Sequence, residues 1–141
     1  MALAKELQKL KDQTSEDGYL TIYLQTDQTS NDQQRGEWKI RLKNGLKKIE
    51  EYIEVENKVN IKRFKQVKKR ATDAIYAIQT QLPKSIVIFA SPQGNFFMRK
   101  LAVPVENQFS WAKEPMTEQL EEINKRYPKE GIVFLQKKIC I

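Results

Sequence analysis

Two long runs of helical periodicity, separated by only four residues, constrain this chain more than any other feature. Trp38, Leu42, Leu46, Ile49 and Ile53 recur every three or four residues, which predicts a helix over about 34–56. Ile61, Phe64, Val67, Ala71, Ile75, Ile78 and Leu82 continue the pattern after a break, and Pro83 follows the last turn. The break is Asn57-Lys58-Val59-Asn60, and Asn60 suits an N-cap because its side-chain oxygen can accept from the free N–H groups of a first turn. Helices joined so shortly have to lie antiparallel, which makes residues 57–63 an exposed tip. Gly36 and Gly45 weaken the first helix, each by roughly 1 kcal/mol relative to Ala.

The same hairpin holds the charge. The whole chain of 141 residues carries a formal +7, yet the stretch from Arg35 to Arg70 has thirteen Lys and Arg against five Glu. The rest is therefore slightly acidic, and a local excess of this kind points to an anionic partner better than a uniformly high pI would. Arg35, Lys39, Lys43 and Lys47 form an i, i+4 row on the first helix, where like charges repel by a few tenths of a kcal/mol per pair. Lys58, Lys62, Arg63, Lys65 and Lys69 extend the positive surface around the tip and along the second helix. Phosphate on RNA would account for the arrangement. So would a solvated face in which Arg41 pairs with Glu37, and Lys47 with Glu50 and Glu51.

Strand patterns flank the hairpin. Tyr19–Thr26 alternates aromatic and β-branched residues, and Ser85–Ser91 with Phe96–Val103 reads as a β-hairpin turning at Pro92-Gln93-Gly94-Asn95. After Pro104, an edge strand is expected over Val105–Trp111, then a short helix over Thr117–Arg126 with Thr117 as its cap, then a buried strand at Gly131–Leu135. Leu3, Leu7 and Leu10 suggest a short opening helix. The expected fold class is α/β of the α+β kind, with a mostly antiparallel four- to five-stranded sheet packed with a long antiparallel helical hairpin and shorter helices. Residues 1–128 form the expected domain. The apolar ending Ile139-Cys140-Ile141 suggests that 129–141 begin a following domain.

Catalytic equipment is sparse: there is no His, and Cys140 stands alone. A nuclease reading would rest on Asp27, Asp32 and Glu37 as metal ligands, although carboxylates in a loop before a helix are usually caps and turn formers. No cofactor or metal is expected. Trp38 and Phe64 fall on apolar helix faces and are expected in the core. Of Phe109 and Trp111, one is expected beneath the last helix and the other exposed beside the tip.

The order strand, helix, basic tip, helix, strand hairpin, short strand, helix and strand resembles the N-terminal domain of archaeal and eukaryotic class-one peptide release factors and their relative Pelota. The phrases YLTIYLQTD and QRGEWKIRLKNGLKK look like the bacterial branch of that superfamily. Asn60-Ile61-Lys62-Arg63 occupies the place of the family's NIKS motif, which reaches the codon in the ribosomal A site. The YxCxxxF element falls on Val103, Val105 and Phe109, so only Phe109 survives, as a candidate decoding-face aromatic. The charged, amphipathic N-terminus and the lack of any apolar run near ~20 residues suggest a cytoplasmic chain with no membrane partner, a monomer being favoured. The resemblance implies the ribosome as partner, in termination or in rescue of stalled ribosomes. Arg63, Val103 and Val105 depart from the pattern and argue against stop-codon reading. The family's Gly-Gly-Gln hydrolysis loop is absent from these 141 residues, so no enzymatic step is expected of them. A protein-interaction adaptor without RNA contact is the alternative.

Overall fold

The computed structural model describes residues 8–10, 12, 18–27, 36–56 and 61–126. Its elements are β1 (Tyr19–Gln25), α1 (Glu37–Glu56), α2 (Ile61–Tyr76), β2 (Ser85–Ala90), β3 (Phe96–Leu101), β4 (Gln108–Ala112) and α3 (Glu118–Arg126). The four strands form one sheet in the order β3-β2-β1-β4, every neighbouring pair antiparallel. This is the expected α+β class. The fifth strand, predicted at Gly131–Leu135, lies outside the described residues, as do Leu3, Leu7 and Asn60.

The central strands explain their own sequences. β1 and β2 are buried on both faces, so they read as near-continuous apolar runs. On one face Leu20, Ile22, Leu24, Ile86, Ile88 and Ala90 pack under the hairpin residues Trp38, Leu42, Leu46, Ile53, Phe64, Val67 and Ile75. On the other, Tyr19, Tyr23, Val87 and Phe89 pack with Val103, Val105, Leu120 and Ile123. The sheet is thus the middle of three layers, with the hairpin on one side and α3 on the other. Leu10, at the end of the described opening turn, joins the α3 side.

Hydrogen bonds pin this arrangement at its corners. Thr26 donates its hydroxyl to Pro83 O (2.8 Å) and its N–H to Lys84 O (2.9 Å), tying the end of β1 to the start of β2. The Tyr23 hydroxyl donates to Met116 O (2.6 Å) and accepts from Leu120 N–H (3.2 Å), so a strand side chain satisfies one of the free donors in the first turn of α3. Thr117 sits at the N-cap of α3 as expected, its carbonyl accepting from Glu121 N–H at 2.9 Å. Its hydroxyl is spent on the Glu121 carboxylate instead (2.7 Å). The β2–β3 turn closes through Gly94 N–H to Ser91 O (3.1 Å), and Gly94 takes a φ of 102° that a side chain would disfavour.

Two boundaries and one face assignment differ from the sequence reading. α2 ends at Tyr76 rather than running to Leu82, because Ile78 and Gln79 N–H turn to the i−3 carbonyls of Ile75 and Tyr76. This tightening unwinds the helix before Pro83 and lets Leu82 and Ile78 reach the core edge. β4 starts at Gln108, not Val105, since Val103 and Val105 are drawn under α3. Phe109 and Trp111 do not divide between the two faces: they lie opposite Ile22 and Leu20, and both pack on the hairpin side. Two residues of spacing in a strand return a side chain to the same face, so neither sits beneath α3.

Candidate nucleic-acid interface

Pairing across the hairpin sets its geometry. The Trp38 and Tyr76 rings meet edge-on at 5.4 Å, and Glu50 reaches Lys68 at 3.5 Å and Lys65 at 4.0 Å. The start of α1 therefore lies beside the end of α2, and the helices are antiparallel. The closed end of the hairpin joins Glu56 to Ile61. Arg35, Lys58 and Asn60 of the predicted site, and Asp32 of the nuclease reading, lie outside the described residues.

Six of the seven remaining predicted cations lie on two helix flanks. Helical geometry puts Lys62, Lys65 and Lys69 on one flank of α2, while Lys39, Lys43 and Lys47 run along the flank of α1 that borders α2. All six are exposed, and they face away from the sheet. Ile61 is half-buried against the core, so it anchors the start of α2 more than it extends outward. Arg63 is exposed in the first turn.

Ion pairs modify the bland alternative. Arg41 does pair with Glu37 (3.2 Å). Glu50 turns across the hairpin to Lys65 and Lys68 rather than relieving Lys47. Lys69 pairs with Asp73 within α2 at 3.2 Å, both side chains largely in solvent, where such a pair contributes little. Lys39 lies over the rings of Trp38 and Tyr76, 5.6 and 5.7 Å from their centroids. That contact holds its ammonium at the open end of the groove between the helices. In the nuclease reading, Glu37 is already engaged by Arg41, and no group of three metal-ligating side chains occurs among the described residues.

The aromatics settle inward. Trp38 is 3% exposed and Phe64 fully buried, the core positions expected of them. Phe109 lies against Gly45, about eleven residues and hence ~16 Å along α1 from the closed end. A Cβ at Gly45 would stand 2.4 Å from the Phe109 ring, so glycine is what permits the strand to approach the helix there. The ring lines a cleft of about 450 Å³ with Arg41, Asn44, Lys48 and Asn107. Trp111, which meets Phe64 edge-on at 5.2 Å, is the aromatic nearer the start of α2.

Sequence reasoning passed over Lys68, Ile40 and Tyr76, which line the outer groove with Lys39, Lys43 and Lys47. Helical phase signalled Lys68, whereas Tyr76 joins only through its cross-hairpin contact with Trp38.

The crystal structure of the archaeal translation termination factor aRF1 has the same architecture, with a TM-score of 0.63 over 86% of this chain at 20% identity. The fold is release-factor-like. A second solved structure, of an archaeal protein, gives a TM-score of 0.59 over 86% of the chain at 18% identity. This chain covers 34% of each of those two. In sequence it is 32% identical over 120 residues to the uncharacterized protein YocB of Bacillus subtilis (strain 168), spanning 85% of this chain and 46% of YocB. The chain thus spans about half the length of that curated relative. No family model matches it. Within the release-factor-like fold, the lysine-bearing surface belongs to the helical hairpin. Among the described residues no helix is long and apolar enough to cross a membrane.

Proposed function

We propose that this chain is the ribosome-binding module of a bacterial release-factor-like translation factor, docking in the ribosomal A site during termination or rescue of stalled ribosomes. Supporting this is one observation above others: the exposed lysines of two antiparallel helices share one surface, on a fold shared with a translation termination factor. In this reading the closed end of the hairpin points toward the decoding centre. Lys62, Arg63, Lys65 and Lys69, with Lys47 of α1 beside them, meet ribosomal RNA, and Lys39 and Lys43 extend the charge toward the open end. The contact is phosphate and shape recognition in the cytoplasm by a monomer, and this part of the factor makes and breaks no covalent bond.

Val103 and Val105 support a role without codon identification. Both are 8% exposed and pack under α3. They offer apolar surface where the resembling motif has a tyrosine and a cysteine.

Salt dependence of ribosome binding tests the reading. Each phosphate neutralised contributes about −0.7 to −0.9 to the slope of log K against log salt. Four or five contacts therefore predict a steep fall between low and physiological salt in a co-sedimentation titration. A flat profile would remove the phosphate contacts from the proposal.

A further inference from the structure

The outer groove of the hairpin carries more apolar surface than phosphate recognition uses. It encloses about 520 Å³, with Leu42 and Leu46 at its floor. Ile40 of α1 and Tyr76 of α2 stand into it from opposite helices, 54% and 37% exposed. Two of the large apolar side chains left in solvent among the described residues thus share one groove. A phosphate backbone gains nothing by covering an isoleucine, whereas an apolar side chain packed against it takes that surface out of water.

The rim has the opposite character. Lys39, Lys43, Lys47 and Lys68 border the groove against one acid, Glu50, which already pairs with Lys68. Lysine stems can flank an apolar guest while their ammonium groups meet its charged edges. A groove between two packed helices also accepts a third at the ordinary interaxial distance of about 8–10 Å.

We infer that this groove docks an amphipathic α-helix of a protein partner, its apolar stripe seated between Ile40 and Tyr76 and its flanking carboxylates on Lys39 and Lys43. The partner is acidic because the rim is basic, and helical because apolar anchors spaced i, i+3, i+4 and i+7 follow a groove of this form. The inference depends on the groove alone and would survive failure of the ribosomal reading. It divides the hairpin into an RNA-facing closed end and a protein-facing open end.

The probe is a fluorescein-labelled synthetic peptide about 18 residues long, enough for a marginally stable helix, with leucines at the anchor spacing and glutamates flanking them. Anisotropy titrations compare it with a scrambled peptide of identical composition and with a short RNA duplex. The expected result is saturable binding of the ordered peptide, with the scrambled one at least about tenfold weaker. Ile40→Gln, which adds no charge to the lysine rim, should weaken peptide binding by about tenfold or more while leaving duplex affinity unchanged. Ile40→Ser, a milder change at this exposed position, should act in the same direction and guards against a folding defect. Equal binding of the scrambled peptide would reduce the effect to bulk charge and overturn the inference, as would full binding by both Ile40 variants. Parallel loss of duplex and peptide binding in those variants would make the groove an RNA surface instead.

Discussion

Glycine at position 45 looks like a defect in a helix that must hold a row of lysines, and the Phe109 ring supplies its reason. A methyl group there would stand 2.4 Å from the ring, so Gly45→Ala has to push β4 away from α1. Overpacking of this kind typically costs about 1–3 kcal/mol, outweighing the ~1 kcal/mol that alanine adds to a helix. Gly45→Ala should therefore lower the denaturant midpoint, and adding Phe109→Leu should recover part of the loss. No pattern in the sequence announces this, because the contact joins residues 64 positions apart. Tyr23 is similar. The alternation of β1 places it inward, but its hydroxyl bonds to Met116 and Leu120 follow only from the packing of α3. Burial raises its pKa well above the ordinary tyrosine value of about 10, with the nearby Glu118 and Glu121 adding to the shift. The folded state then holds the phenolic proton more tightly than the unfolded chain, so the stabilisation is complete below about pH 10 and falls as pH rises above it. Tyr23→Phe should cost about 1–3 kcal/mol at neutral pH by stranding its partners, and should flatten the alkaline decline. Tyr19, also raised by burial, leaves part of that slope in place. Urea melts between pH 7 and 11 check both statements.

At the scale of elements, helix periodicity and buried apolar runs were readable because each is a local consequence of what the element packs against. The end of α1, the start of α2, β1, β2 and the cap of α3 follow from spacing alone, to within a residue or two. The end of α2 and the register of β4 were not readable, since both are decided by partners distant in the chain. Parity alone would have placed Phe109 and Trp111 on a common face. The lysine row on α1 is legible as a row and illegible as a groove, because its facing residues Lys68 and Tyr76 come from the other helix. Lys43 stands one turn from both Lys39 and Lys47, and like charges at that spacing cost a few tenths of a kcal/mol per pair. Lys43→Gln should thus raise stability by about 0.3–0.8 kcal/mol, measurable by thermal melting at low ionic strength and shrinking as salt is added. A loss of stability would mean that Lys43 is held by interactions the repulsion does not outweigh.

Among the described residues the charge is divided between the outer layers. The hairpin presents lysines, while Glu106, Glu118 and Glu122 border a groove with Arg126 on the α3 side of the sheet. A molecule polarised in this way is turned by a polyanion before contact, hairpin first. The location of the positive surface was legible in the sequence from charge counting. Its convergence from two helices, away from the sheet, needed the fold. The proposed docking of this release-factor-like chain on the ribosome runs through phosphate contacts at the closed end of the hairpin. Its most direct test is the ribosome affinity of the double variant Lys62→Glu, Arg63→Glu, measured at fixed low salt beside the unaltered chain, with matched melting temperatures showing that both are folded. Affinity should fall by about tenfold or more, a loss of at least about 1.4 kcal/mol. Unchanged affinity in the folded variant would contradict it.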